Sequence, residues 1–541
     1  MPNFDFNRYF PFPEIREQQT QAIEFALAEI LDQDKRCVVI EAGTGVGKSA
    51  IGLTIARYLS DHLNPGDAFK PGSYFLTTQK ILQEQYVDDF GTRGMLELKS
   101  AANYPCKSKR VGTCDDGQRA LHSSTGKDSP SLKSCAYDCR YKTAKQNFIE
   151  GQLGITNFSY YLAETNYAGK LEPRRVLVLD EAHNAPEQLS SFIEISVSER
   201  FCKGDLKLLW PNVKTQPQAI KWVKETYYPK VKSLLEHQKG LLKKYSGLAS
   251  KLDQFVNVAR KLDMLDKHVS KLDRFLNMYH SDNWSFNLVE ASGRSLRKLE
   301  FKPIDVAPYS QEYLLRSGHK IVMMSATILD KQGFCKLMGL DESDVGFISI
   351  PSPFPVENRP VIAVGIGRMV QAEIDRTLPQ LAQAVKHIME NHPNEKGIVH
   401  CHSYKILNYL RRNVRSKRIL YHDSSNRDAI LEKHKNSSKP TVLLSPSMTE
   451  GVDLKDDLSR FQVICKIPYP YLGDKLIRKK MNKWSWWYPL QTAKTIVQAT
   501  GRSIRSNDDY AVTYILDSDW DRFYGKHRSM FPKEFREAIK K

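Results

Sequence analysis

The chain has 541 residues, room for roughly three to four domains, and its 41% hydrophobic and 26% charged side chains are the balance of an ordinary globular protein. No apolar run approaches the ~20 residues of a membrane helix, and MPNFDFNRYFPFPE lacks the basic and apolar regions of a secretion signal; both argue for a reducing intracellular compartment. The net charge of +18 suits a polyanionic partner, although a basic surface can also serve solubility alone.

The first predicted element is the β-branched run CVVI at 37–40, which reads as a buried parallel strand. It leads into EAGTGVGKS at 41–49. Read as A-x-x-G-x-G-K-S, the residues Ala42, Gly43, Thr44, Gly45, Val46, Gly47, Lys48 and Ser49 form a phosphate-binding loop, with Ala42 where the general pattern has glycine. Backbone N–H groups of such a loop wrap phosphates, Lys48 reaches the β/γ oxygens and Ser49 ligates Mg2+. A helix over about residues 49–59 then aims its N-terminus at the phosphates. A chance glycine-rich turn is the plain alternative, and the strand–loop–helix context speaks against it.

Four of the nine cysteines, Cys106, Cys114, Cys135 and Cys139, follow with the spacing C-x7-C-x20-C-x3-C. In a reducing compartment such clustering points to ligation rather than to disulfides, whereas the scattered cysteines read as small buried hydrophobes. Four thiolates suit zinc or an iron–sulfur cluster, and only Cys135 and Cys139 have the close spacing usual for structural zinc. Lys107, Lys109, Arg110, Lys133, Arg140, Lys142 and Lys145 interleave with Tyr104, Tyr137 and Tyr141, a composition able to follow phosphates and stack on bases.

RRVLVL at 174–179 predicts a second buried strand, ending at Asp180-Glu181-Ala182-His183. Carboxylates at that edge stand where a nucleotide would lie. Asp180 is expected to hold Mg2+, Glu181 to orient or deprotonate an attacking water, and His183 to couple the site to its surroundings. YPKVKSLLEHQKGLLKKY is helix-like and basic, and Leu248, Leu252, Phe255, Val256, Ala259, Leu262, Val269, Leu272 and Leu276 recur mainly at helical steps, predicting a long amphipathic helix over 248–276. KIVMM at 320–324 is a third strand, ending in Ser325-Ala326-Thr327. RRNVRSKR at 411–418 reads as a basic helix face, and KWSWWYPLQ at 483–491 as core packing rather than base stacking. QATGRSIRS places Gln498, Arg502 and Arg505 in order; the two arginines, three apart, share a helix face and could clamp a transferring phosphoryl group, or be merely solvated.

In this order the motifs resemble those of the superfamily 2 helicases, specifically the iron–sulfur XPD/DinG-like branch. Arg16 and Gln19 in REQQ resemble its Q-like motif and TTQKILQEQ its motif Ia. The phosphate loop, DEAH and SAT resemble motifs I to III; GIVHCHSY, SMTEGVDL and QATGRSIR resemble motifs IV to VI. TNFSYYL resembles a segment that this branch carries before DEAH. Two departures stand out: Tyr510 and Ala511 replace an Asp-Gly turn, and no nuclease extension is expected ahead of the Q-like motif.

The resemblance implies an α/β fold of two RecA-like parallel-sheet motor domains with two insertions. The first motor domain is expected over 1–96, 146–189 and 298–350, interrupted by a four-cysteine iron–sulfur domain at 97–145 and a helical arch domain at 190–297; the second is expected over 351–541. ATP and Mg2+ would bind between the motors, with Asp453, Arg502 and Arg505 reaching across from the second and Arg16 and Gln19 serving the nucleotide. The position of the cysteines, more than their spacing, implies a 4Fe–4S cluster rather than zinc. The implied activity is ATP-driven 5′-to-3′ movement on single-stranded DNA with duplex unwinding, Thr77, Gln79 and Ser403 touching the strand. An RNA or RNA–DNA hybrid helicase, or a nucleic-acid-binding scaffold with a vestigial ATPase, are the alternatives. The protein is expected to be a monomer at duplex junctions, in the cytoplasm or wherever its DNA lies.

Overall fold

The computed structural model of the chain describes residues 4–108, 111–123, 132, 137–248, 251–291, 295–423, 425–446, 454, 456–501 and 509–540. Cys135, Asp453, Arg502, Arg505 and nearly all of SMTEGVDL lie outside the described residues.

The strands β1 (Cys37–Ala42), β2 (Lys70–Thr77), β3 (Met95–Glu97), β4 (Leu153–Asn157) and β5 (Arg174–Asp180) come first in the chain. After β6 (Ile195–Ser198), β7 (Trp284–Val289) and β8 (Lys298–Pro303) come β9 (Gly318–Ser325) and β10 (Val345–Ile350). Seven of these form one parallel sheet in the order β10-β1-β9-β5-β2-β4-β3. Its central strands carry apolar runs, at 37–40, 176–179 and 321–324, because helices cover both faces, as a buried parallel sheet requires. The helix after the phosphate loop spans Lys48–His62, a little beyond the expected bounds, and buries Ile51, Leu53, Ile55 and Leu59.

A second parallel sheet holds β11 (Val361–Ala363), β12 (Gly397–His400), β13 (Ile419–Tyr421), β14 (Val442–Ser445), β15 (Phe461–Ile464), β16 (Val512–Ile515) and β17 (Ile539–Lys540). Its order is β13-β14-β12-β15-β16-β11-β17. Two parallel-sheet domains of RecA-like type therefore stand in one chain, as expected.

The segment between β5 and β9 carries the two predicted helices, at Tyr228–Ser246 and Leu252–Met278. It also carries an antiparallel sheet, β6-β8-β7, which helical periodicity does not announce. Its core, with Phe275, Trp284 and Phe301, is continuous with Leu177, Leu179 and Met323 of the first large sheet. The helix Cys114–Leu121 docks on Leu252–Met278: Arg119 pairs with Asp263 at 2.6 Å, and Arg260 with Asp116 at 3.0 Å. Ala120 and Leu132 pack on Val256 beside these pairs.

Candidate nucleotide site between the two sheets

β1 delivers the phosphate loop at its C-terminal end. Gly45 and Gly47 take φ of +87° and +86°, a left-handed region that side chains other than glycine rarely adopt, and this lets the backbone fold into a tight cradle. Arg16 donates to the Gly45 carbonyl at 2.7 Å and Gln19 Nε2 to the Val46 carbonyl at 2.9 Å, so both Q-like residues hold the loop itself. Lys48 Nζ donates to the Ala42 carbonyl at 3.2 Å.

β5 ends beside this loop. Asp180 is buried, and burial first, then the neighbouring Glu181 charge, push its carboxyl up to about 6, while Lys48 pulls the other way. A carboxylate that ionises so reluctantly has much to gain from a divalent cation. Tyr86 Oη donates to Asp180 Oδ2 at 3.1 Å, and burial raises its own phenol well above the usual range. Tyr86 sits in the motif Ia helix, Lys80–Phe90, and was not singled out in the sequence; its place at the inner face of that amphipathic helix is the only signal. Glu181 adopts φ +52° at the turn after the strand.

His183 is the junction of the site. Its Nδ1 lies 2.7 Å from Ser325 Oγ and 3.3 Å from Glu181 Oε2, and its Nε2 lies 2.9 Å from Gln498 Nε2. With the Gln498 amide donating, Nε2 accepts and Nδ1 carries the proton. Gln498 also donates to Thr327 Oγ1 at 3.1 Å, and Lys494 to the His183 carbonyl at 3.2 Å. Gln498 and Lys494 lie on Trp487–Thr500, a helix of the second domain. The structure thus brings together DEAH, SAT and the helix that ends in Gln498-Ala499-Thr500, with His183 bonded to both of the others. Thr44 Oγ1 adds a 3.4 Å contact to the Gly501 carbonyl just before the arginines.

The remaining expected residues are placed as follows. Ser403 caps the helix Tyr404–Asn413, and Thr77 is buried with its hydroxyl on the Gln79 carbonyl. Trp487 is buried with the Lys480 ammonium 5.5 Å from its ring centre, whereas Trp484 and Trp486 are half-buried. In RRNVRSKR the helix ends at Asn413, and Arg418 donates to the carbonyls of Pro440, Met389, His392 and Glu395, so part of that basic run is a structural staple rather than a helix face. Cys114 and Cys139 are buried and within hydrogen-bonding reach of each other, with Cys106 beside them, and burial raises the Cys114 thiol. Cys106 Sγ packs so closely on Gly117 that a Cβ there would lie 2.9 Å away. Among the described residues no group of three or more possible ligands is close enough to hold a metal ion. The fourth cysteine, Cys135, lies outside the described residues. No described helix is long and apolar enough to cross a membrane.

Residues 385–538 match the helicase C-terminal domain family, and residues 12–203 match the family described as type III restriction enzyme, res subunit. A probable ATP-dependent helicase of Methanocaldococcus jannaschii is 23% identical over 94% of this chain and 93% of its own. The ATP-dependent DNA helicase YoaA of Escherichia coli is 21% identical over 96% and 93% respectively. In fold, the chain is similar to a solved XPD helicase, with a TM-score of 0.64 at 16% identity over 96% of this chain and 99% of that one. S. tokodaii Xpd4 gives 0.58 at 16% identity, over 97% and 99%.

Proposed function

We propose that this chain, which belongs to the XPD/DinG-like superfamily 2 helicases, travels 5′ to 3′ on single-stranded DNA at the expense of ATP and parts the duplex ahead of it. The observation that carries this reading is the hydrogen-bonded chain from Ser325 through His183 to Gln498. It joins the hydrolytic carboxylates of one parallel-sheet domain to the second domain, which is what turning hydrolysis into relative motion requires. Lys48 and the loop N–H groups would bind the β/γ phosphates, Ser49 and Asp180 the Mg2+, and Glu181 would orient water for in-line attack. Arg502 and Arg505, four and seven residues beyond Gln498, would stabilise charge on the transferring group. Two like DNA helicases among the relatives support DNA as the track, and the polarity is that of the family resemblance.

Cys106, Cys114, Cys135 and Cys139 would hold a 4Fe–4S cluster, whose bonds would fix the fold of the 97–145 segment. Residues 190–297 would form the arch, and the docked pair of helices Cys114–Leu121 and Leu252–Met278 would help enclose the strand. The decisive experiment is strand displacement on DNA, RNA and hybrid duplexes with 5′ or 3′ overhangs, alongside ATPase measurements with and without each single strand. Displacement of DNA carrying a 5′ overhang is expected. Preference for RNA would favour the RNA helicase reading, and an ATPase that neither nucleic acid stimulates would remove the helicase reading.

A further inference from the structure

Three consecutive carbonyls of the phosphate loop are held by side-chain donors from outside it. Ser352 Oγ donates to the Thr44 carbonyl at 2.8 Å, Arg16 to that of Gly45 at 2.7 Å and Gln19 to that of Val46 at 2.9 Å. In a trans peptide the carbonyl and the following N–H point in opposite directions. Each tether therefore turns the next N–H, of Gly45, Val46 or Gly47, to the other side of the loop; that of Val46 donates to the Gly43 carbonyl at 3.4 Å and tightens the turn, and those of Gly45 and Gly47 can join a nest that meets phosphate. Two of the donors belong to the Q-like motif. The third comes from the linker between the large domains, which no motif contains.

The linker reaches the loop because β10 pairs with β1, with Ala42 opposite Ile350, and the Gly43 N–H donates to the Ile350 carbonyl at 3.0 Å. Residues 351–354 then run alongside the loop. A Cβ on Gly43 would lie 2.7 Å from Ser352 N, and one on Gly45 would lie 2.0 Å from Cζ of Phe354. Phe354 is buried and packs on Ala511, immediately before β16 of the second domain. The Ala511 N–H donates to the Asn358 carbonyl at 2.9 Å, which ties the same linker to that domain.

We propose that Ser352 and Phe354 are positioning residues for the nucleotide phosphates: the linker completes the set of outward tethers and makes the loop's binding shape depend on how the second domain is seated. This rests on the ATP reading above. The test is steady-state ATPase of the full chain at saturating single-stranded DNA, for Ser352→Ala, Ser352→Thr, Phe354→Ala, Phe354→Leu and Lys48→Ala, each with a melting curve. Losing one tether should raise KM for ATP about 3- to 10-fold, the worth of one hydrogen bond, with kcat within about twofold and an unchanged melting temperature. Ser352→Thr, which keeps the hydroxyl, should restore most of KM, and Phe354→Leu should act more mildly than Phe354→Ala. A wild-type KM in Ser352→Ala overturns the proposal, as does a fall in kcat and melting temperature together with the rise in KM. Should Phe354→Ala fail to fold, the Ser352 pair decides alone. If instead Lys48→Ala hydrolyses ATP as the wild type does, it is the ATP-site reading that has failed.

Discussion

Replacing His183 and Gln498 by alanine, singly and together, isolates the bond that crosses between the two large domains. His183→Ala removes the contacts to Ser325 and Gln498, at 2.7 and 2.9 Å; Gln498→Ala removes those to His183 and Thr327, at 2.9 and 3.1 Å. At about 1 kcal/mol for each partly buried hydrogen bond, either single change should cost about 2 kcal/mol, roughly 30-fold in DNA-stimulated kcat. The double variant loses three distinct bonds, not four. It should therefore fall about 150-fold rather than the roughly 900-fold that independent effects would multiply to, a coupling of about 1 kcal/mol. The assay is steady-state ATPase at saturating ATP and single-stranded DNA, with melting curves to confirm that all three variants fold. If the two effects multiply to within about 0.4 kcal/mol, the residues act independently and the coupling role of His183 is refuted.

The ion pairs between Arg119 and Asp263 and between Arg260 and Asp116 should keep the two inserted helices docked: Asp263→Arg should lower unwinding several-fold while sparing ATPase, and adding Arg119→Asp should restore it. No recovery in the swapped double variant would show that the pairing is incidental. Cys114→Ser should abolish the brown colour and duplex unwinding but leave most of the DNA-stimulated ATPase; normal unwinding, or a colourless wild type with stoichiometric zinc, would overturn the iron–sulfur assignment. Glu41 is buried, accepting from the Leu329 N–H at 2.6 Å and from Ser349 Oγ at 3.0 Å, and burial raises its carboxyl above the ordinary 4.5. A raised carboxyl contributes stability below its unfolded value that is lost as pH climbs through the folded one. Glu41→Gln should therefore match the wild type in melting temperature near pH 4 and exceed it as pH rises above 4.5, the gap levelling off once Glu41 is ionised in the folded protein. A constant difference between pH 4 and pH 8 would refute the assignment.

What could be read from the sequence was whatever chemistry keeps local in the chain. A phosphate loop must be a strand, a glycine turn and a helix in immediate succession, so residues 37–62 announce themselves, and β5 with its terminal acids does the same. Tyr86 on Asp180 and Ser352 on Thr44 join residues that are distant in the chain, and nothing in the periodicity around either residue encodes its partner. The small antiparallel sheet was legible in principle. In β8, Leu299, Phe301 and Pro303 are buried and alternate with Lys298, Glu300 and Lys302, a period of two overshadowed by the long helices before it. Charge was the least faithful guide. Arg418 sits in a run that reads as a basic helix face and instead collects four backbone carbonyls, so not every unit of the +18 faces a partner.

The order of the first sheet bears on how the protein is made. β1, which carries the phosphate loop, lies between β9 and β10, with Cys37 opposite Ile321 on one side and Val345 on the other. During synthesis that strand leaves the ribosome with neither lateral partner yet translated. Its six buried residues must wait, exposed and prone to pair wrongly, until the chain has been extended past residue 350. Such long-range parallel pairing folds slowly. The N-terminal stretch of 12–203, although it matches a family by itself, should accordingly depend on chaperones when expressed alone, whereas a fragment extended through β10 supplies both missing neighbours.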